Sequence, residues 1–455
     1  MVDTMFSAEK IAQIVEGELL RKETVSPRRA IHDSRLVQPG DVFVALPGQR
    51  SDGHGFLSDA FTRGASAALV SDLSNLPDNA RNIIRVDDPA LALQQWAAAW
   101  RRRLHATTIV AITGTNGKTT VKALLGHLLS AQGKVHVSPH NYNTEIGLPI
   151  SLLSMPADTD IGVFELGAEQ PGDIARLAKI LQPHLGILTS VGPGHLDGFK
   201  TIEAVASEKG SLIEHLSADG TAIINADVPR LLDLAATATV PIVATGLTPC
   251  HLQGHLLQTV PSLKIQLADQ NLTLTCPLVG THNANNLLLA TATAHKLGVS
   301  WQTIADQATS FKPIAHRLQP IPSSFGTLLD DTYNANPASM IAALDVLTSF
   351  GSVESCRVFV FGTMSGLGTD TDRFHREIVQ RALADPIDAI LPIGDAATAA
   401  CHTVTAPAEK DRVVVLPRDR IKPWIRSHTS DSMVILVKGS RDLSLESLIA
   451  DLLQP

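Results

Sequence analysis

Lys118 and Thr119 stand in the string TIVAITGTNGKTTVKALL, where Gly114 and Gly117 bracket a short polar turn. That combination suits phosphate. Glycine lets backbone N–H groups approach the oxygens, and the start of the following helix meets their charge. Lys118 can reach terminal phosphates, and the Thr119 hydroxyl suits Mg²⁺. Gly114, Thr115, Asn116, Gly117, Lys118, Thr119 and Thr120 are the candidate nucleotide contacts. The longer GxxxxGK[ST] form is not met, because Ile112 stands where its first glycine belongs.

Other reactive side chains fall at places a sheet would bring together. Glu165 closes an apolar strand in VFELGAEQPGDI, and His195 follows the next strand in SVGPGHLDGF. Both therefore lie at the carboxyl edge of a parallel sheet, where such sheets bind ligands. With Thr119 they could hold Mg²⁺; a loop carboxylate and a turn-stabilising histidine are the plainer reading. Lys209 lies on the apolar stripe Ile202, Val205, Ala206, Leu212, Ile213 and Leu216. Burial disfavours its charged form, and a neutral amine can take up CO₂ as a carbamate. A lysine snorkelling along the stripe is the alternative. Asn283, in GTHNANNLLLATATAHKLG, has the donor–acceptor pair that matches the N6 and N7 edge of adenine. Asn286 follows one turn on, and helix capping accounts for either residue equally well. No Ser-His-Asp or Cys-His pattern stands out. The chemistry that fits is phosphoryl transfer to a carboxylate followed by amine attack, with the rate supplied by positioning and electrostatics.

Three domains suit a chain of 455 residues. We assign residues 1–104, 105–315 and 316–455 to them. In the first, Pro39-Gly40 turns the chain into a strand from Asp41 to Leu46, and a second turn cluster, PGQRSDGHGF, follows. Asp88-Pro89 reads as the cap and first residue of a helix ending in Arg101, Arg102 and Arg103. In the second, strands at Thr107 to Thr113, Ile161 to Glu165, Leu185 to Val191 and Thr221 to Asn225 alternate with helical patterns. A long helix from about His282 to Leu297 closes this region. That is the rhythm of a doubly wound parallel sheet. The last third carries strands at Thr327 to Asp331, Arg357 to Phe361, Ala389 to Ile393, Val413 to Leu416 and Met433 to Lys438. The fold class expected is α/β: a central doubly wound P-loop sheet, a Rossmann-like C-terminal domain and a small N-terminal α/β domain.

Composition agrees with a globular protein. Hydrophobic residues make up 44% and charged residues 18%, and the net charge of −8 argues against a nucleic-acid surface. Four scattered cysteines suggest neither a disulfide framework nor a zinc site. The first twenty residues do not read as a signal peptide, and no run nears the ~18 apolar residues of a membrane span. A soluble, intracellular protein is expected.

GTNGKTT resembles the phosphate loop of the Mur ligases and of their folylpolyglutamate synthase relatives. The resemblance extends over nearly the whole chain and thins between Pro229 and Leu274, a stretch we do not read functionally. It implies ATP and Mg²⁺ as cofactors, metal contacts at Thr119, Glu165 and His195, and a carbamylated lysine at Lys209. It places adenine at Asn283 and Asn286, phosphate at Arg317 and the ATP ribose at Asp331, which would end the first strand of the last domain. HDSRLVQPGDVFVALPGQRSDGHGF resembles the family's UDP-binding domain. Ser34 and Arg35 are its nucleotide-sugar contacts, with Asp52, Gly53 and His54 completing the motif. HNYNTEIGLPISLL puts Asn143 and Thr144 by the phosphates or acceptor.

DDTYNANPASM and VKGSR resemble the motifs of the family activity that joins D-alanyl-D-alanine to UDP-N-acetylmuramoyl tripeptide in bacterial cytoplasm. Tyr333, Asn334, Asn336, Lys438 and Arg441 are its candidate substrate-orienting residues, although Asn336-Pro337 alone makes a good helix entrance. Two other readings stand beside it: a sister ligase adding diaminopimelate or lysine, and a nucleotide-binding regulator without turnover. One departure favours the last. GTMSGLG (362–368) stands where the family usually reads GDMxELG, so Thr363 and Gly366 replace two acids.

Overall fold

The computed structural model describes residues 6–24, 27–48, 51–139, 141–428 and 432–454; Gln49 and Arg50 of the second turn cluster lie outside them. Three sheets organise the chain, built from residues 18–85, 108–276 and 319–438. The first has the order Glu18–Leu20, Ile83–Arg85, Ala67–Val70, Val42–Val44, Ala30–Ile31, parallel except for its first pair. Asp88 caps helix Pro89–Arg103 by accepting from the Ala90 and Leu91 amides, and three arginines fill its last turn. Trp96 and Trp100 are buried on this helix. Arg101 is buried too, and its guanidinium donates to the carbonyls of Leu104, Leu181 and Gln182. The first unit is thereby tied to the second.

The central sheet runs Leu272–Cys276, Leu263–Leu267, Leu252–Gln258, Ile242–Gly246, Thr221–Asn225, Leu185–Leu188, Thr108–Thr113, Ile161–Glu165, Val135–Val137. Every pair is parallel except the two involving Leu263–Leu267. Strand Thr108–Thr113 alternates inside this sheet. Val110 and Ile112 pack with Leu124, Leu128 and Leu287 on one face, while Ile109 and Ala111 pack with Leu177 and Leu212 on the other. The chain leaves this strand toward one side and later returns to the other, through strand Leu185–Leu188. The carboxyl end of Thr108–Thr113 is therefore a topological switch point, the position at which such sheets open a binding crevice.

The third sheet has the order Gln319–Ser323, Gly326–Asp331, Met433–Lys438, Arg357–Gly362, Ala389–Ile393. Its first pair is antiparallel and the rest are parallel. Two strand expectations fail here. Asp331 ends the second strand, not the first, because Gln319–Ser323 precedes it. That strand carries Pro320 and Pro322, which the sheet tolerates only at its edge and which hide a strand in sequence. Val413 to Leu416 is no strand: Val413 makes one isolated bridge to Ile390, and Pro417 turns the chain away. Strand Leu185–Leu188 also stops short of the expected Val191, since Thr189 and Ser190 turn toward the phosphate loop.

Candidate active site

Strand Thr108–Thr113 delivers the chain to Gly114, whose φ is +145°; a Cβ there would lie 2.0 Å from Thr189 Oγ1. Gly117 starts helix Lys118–Leu129 with φ +86°, and a Cβ on it would meet Asn286 Oδ1 at 2.4 Å. Both positions need glycine for conformation and for space. Gly117→Ala is expected to weaken nucleoside triphosphate binding about tenfold or more, the left-handed backbone alone costing ~1–2 kcal/mol. Calorimetric titration reads this, and an affinity equal to the parent's would refute it.

The loop between the glycines is bracketed by residues that the sequence reading passed over. The Thr115 amide donates to Ser190 O at 2.9 Å, and the Asn116 amide to Ser190 Oγ at 2.8 Å. The Thr189 hydroxyl donates to Asn116 O at 2.5 Å, and Thr115 Oγ1 bonds Gly192. A Thr-Ser pair directly after a parallel strand was the available signal.

Lys118 curls back over this loop, its Nζ donating to Gly114 O at 2.7 Å and more weakly to Thr115 O at 3.4 Å. Glu165 is 2% exposed. Its Oε1 accepts from Asn143 Nδ2 at 2.9 Å, and its Oε2 from Thr119 Oγ1 at 3.0 Å, with Lys122 Nζ 3.5 Å away. Burial pushes this carboxyl up, but Lys118, Lys122, Asn143 and Arg317 outweigh it and hold the group below the usual range. Glu165 therefore sits ionised beneath the loop rather than open at the rim. Arg317 comes from the third unit, and its Nη2 donates to Thr119 Oγ1 at 3.1 Å. The Tyr333 ring covers its guanidinium at 3.7 Å.

A cavity of about 730 Å³ opens beside the loop, lined by Lys118, Asn143, Thr144, His195, Lys209 and Gly366 among others. His195 is exposed at its rim with φ +53°. Partial desolvation at the cavity mouth, then Lys118 and Lys209, lower its pKa. Lys209 is 3% exposed, 5.9 Å from the centre of the Phe199 ring. Burial first, and Lys118 after it, lower its ammonium from 10.5 to about 7, against the pull of Glu208 and Asp173. Sequence placed Lys209 on the buried stripe, and it is buried.

The remaining candidates divide. Asn283 and Asn286 are buried behind the loop. Asn283 Nδ2 donates to Val279 O, and Asn286 Nδ2 to Asn283 Oδ1. Neither caps its helix, whose N-cap is Gly280. Asp331 accepts from Lys438 Nζ at 2.6 Å and from the Leu318 amide at 3.1 Å. Lys438 is buried and also donates to Asn334 O; Arg441 is exposed and paired with Glu446. Asn336 caps helix Pro337–Ser349, as its dipeptide allowed, and it also bonds Asn116. Thr120 is buried in the first turn of its helix.

Ser34 and Arg35 lie in the first unit away from the loop, Arg35 paired with Asp33 at 2.7 Å. Their segment approaches the second unit through His32, whose ring centre is 6.5 Å from that of Tyr142. His54 is held between Asp52 Oδ1 and the Ser71 amide. In GTMSGLG, Gly366 takes φ +74° and its carbonyl accepts from the Leu196 amide, while Thr363 Oγ1 accepts from the Ala397 amide. The departure thus supports a closed contact beside His195. Among the described residues no group of three or more His, Cys, Asp or Glu side chains gathers around a metal-sized site. Thr119 and Glu165, in mutual contact, still fit Mg²⁺, which binds few protein ligands alongside phosphate.

Comparison with known proteins matches three family descriptions in succession. They are the Mur ligase family catalytic domain over residues 31–101, the Mur ligase middle domain over 112–294, and the Mur ligase glutamate ligase domain over 316–441. The UDP-N-acetylmuramoyl-tripeptide–D-alanyl-D-alanine ligase of Bacillus subtilis (strain 168) is 30% identical, covering 98% of each chain. A crystal structure of MurF from Acinetobacter baumannii superposes with a TM-score of 0.89 at 29% identity, covering 99% of each chain. MurF from Thermotoga maritima, solved in complex with ADP, gives 0.81 at 26% identity over 93% of this chain and 97% of that one.

Proposed function

The chain belongs to the Mur ligase family, and we infer that it is the ATP-dependent ligase joining D-alanyl-D-alanine to UDP-N-acetylmuramoyl tripeptide for peptidoglycan synthesis. The observation that carries the chemistry is the convergence of Lys118, Thr119, Glu165, His195 and Lys209 on one loop and its cavity, with Arg317 arriving from another unit.

The terminal carboxylate of the tripeptide attacks the γ-phosphorus of ATP, forming an acyl phosphate and releasing ADP. The amine of D-alanyl-D-alanine then attacks the acyl carbon, and phosphate leaves with the bonding pair. Amides that open helix Lys118–Leu129 and the Lys118 ammonium receive the charge that spreads over the transferring group. Arg317 adds a second cation from the third unit. Thr119, Glu165 and His195 would hold Mg²⁺, which supplies further charge neutralisation at the phosphates when bound. A carbamate on Lys209 would add an anion facing the same cavity. Asn283 and Asn286 for adenine and Asp331 for ribose place ATP between the middle and last units; in the state described these three side chains are engaged with protein groups, which ATP must replace. Ser34 and Arg35 serve the UDP end, and Asn143 and Thr144 the acceptor.

The units act as a UDP-sugar domain (1–104), an ATP domain (105–315) and a ligase domain (316–455). We place the enzyme in the bacterial cytoplasm; among the described residues no helix is long and apolar enough to cross a membrane. Incubation with ATP, the UDP-linked tripeptide and D-alanyl-D-alanine should release phosphate in step with amide formation. Turnover with diaminopimelate or lysine on the dipeptide precursor instead would move the chain to a sister activity. ATP binding without turnover would make it a regulator.

A further inference from the structure

Tyr333, Asn334 and Asn336 carry a substrate-orienting expectation from the sequence, yet two of the three side chains are directed at the phosphate site. Asn336 Nδ2 donates to Asn116 Oδ1 at 2.7 Å, and Asn116 Nδ2 donates back to Asn336 Oδ1 at 3.2 Å. The partners lie 220 positions apart, one in the loop that cradles phosphate and one in the third unit. Neither has slack. Asn116 is fixed through its backbone by Thr189 and Ser190, and Asn336 through its cap on the Ser339 amide at 3.0 Å. At the other end of the segment, the Tyr333 ring lies against Arg317, which bonds Thr119 of the same loop. Between them, Asn334 O accepts from Lys438, itself paired with Asp331 at the end of its strand. One short segment of the third unit therefore holds positions 116 and 119 together.

We propose that Asn116 and Asn336 form a latch, a pair of positioning residues through which docking of the third unit and the nucleotide-ready shape of the loop become one event. The proposal rests on the reading of residues 114–119 as the ATP phosphate loop. A nucleotide that bridges the two units binds the docked arrangement, so its affinity rises in proportion to the fraction of molecules that are docked. The latch uses neutral amides, which are satisfied by water when the units part, so it is easily opened as well as closed.

The test is a double-mutant cycle on the full chain, read by calorimetric binding of a non-hydrolysable ATP analogue. Asn336→Ser keeps a good helix cap but cannot reach Asn116. Asn116→Ala leaves that cap untouched. Each single variant should bind the analogue about tenfold more weakly, the size expected for two neutral hydrogen bonds. The double variant should be no weaker than the worse single one, because either change removes the same pair. KM for ATP should rise in each single variant in step with the loss of analogue affinity. Undiminished binding in both single variants, or losses that multiply in the double, would overturn the latch. A parent chain that fails to bind the analogue would instead remove the reading beneath it.

Discussion

Replacing Lys118 with alanine is expected to lower amide formation at saturating substrates by about three orders of magnitude. The neighbouring cations are already engaged. Arg317 is committed to Thr119 and stacked on Tyr333, and Lys122 faces Glu165 from beneath. Lys118 folds over the mouth of the loop, with its ammonium on the carbonyl of Gly114. Charge that develops on the transferring phosphoryl group then loses its closest mobile cation. ADP should be held better than this loss implies, because the loop amides remain. Lys118→Arg should not restore the rate, since a planar fork cannot occupy the place of a compact ammonium on a flexible stem. Phosphate release together with ADP titration separates the two effects. Activity within about tenfold of the parent would sink the assignment.

Lys209→Met should move activity and stability in opposite directions. The ammonium is almost wholly buried and titrates near 7 instead of 10.5, burial being the first cause and Lys118 the second. The folded chain therefore releases this proton more readily than the unfolded one. Between about pH 7 and 10.5 the unfolded state binds more protons, so the lysine's cost to stability is relieved as pH rises. Below about pH 7 the full cost is present, on the order of 1.4 kcal/mol for each pH unit separating the two values. In nucleotide-free protein the methionine variant should melt higher than the parent at pH 6.5, and the difference should shrink by pH 9. Its ligase activity should fall by about a hundredfold or more, the loss of one positioned charge next to the reacting groups. Thermal melts at the two pH values and phosphate release decide the matter. A melting difference independent of pH, or full activity, would remove Lys209 from the site.

Much of this architecture was readable because pattern and chemistry coincided. Gly114 and Gly117 signal left-handed or crowded backbone, and a β-branched run before them signals a buried strand; together they locate the loop without coordinates. Lys209 was legible from helical spacing alone, and Asp88-Pro89 from capping chemistry. Other features were hidden for equally physical reasons. Pro320 and Pro322 argue against a strand, and only an edge position with an antiparallel neighbour accommodates them. Thr189, Ser190 and Lys122 look like ordinary polar residues until the sheet brings them beneath the loop. Asn336 illustrates a mixed case: Asn-Pro predicts the helix cap correctly, while its second partner, Asn116, belongs to no local pattern. For Asn283 and Asn286 the capping alternative failed because Gly280 begins the helix.

Arg101 has a consequence for how the molecule breathes. Its three carbonyl acceptors include the last residue of helix Asp173–Leu181, and the first turn of that helix borders the cavity. Prising the first unit away would pull a buried guanidinium off the carbonyls of Leu181 and Gln182, whereas parting the third from the loop breaks the Asn116–Asn336 amide pair and the Arg317–Thr119 bond, leaving Arg317 stacked on Tyr333 in its own unit. Scattering profiles with and without nucleotide should accordingly describe two moving pieces, a long rigid arm and a single swinging jaw.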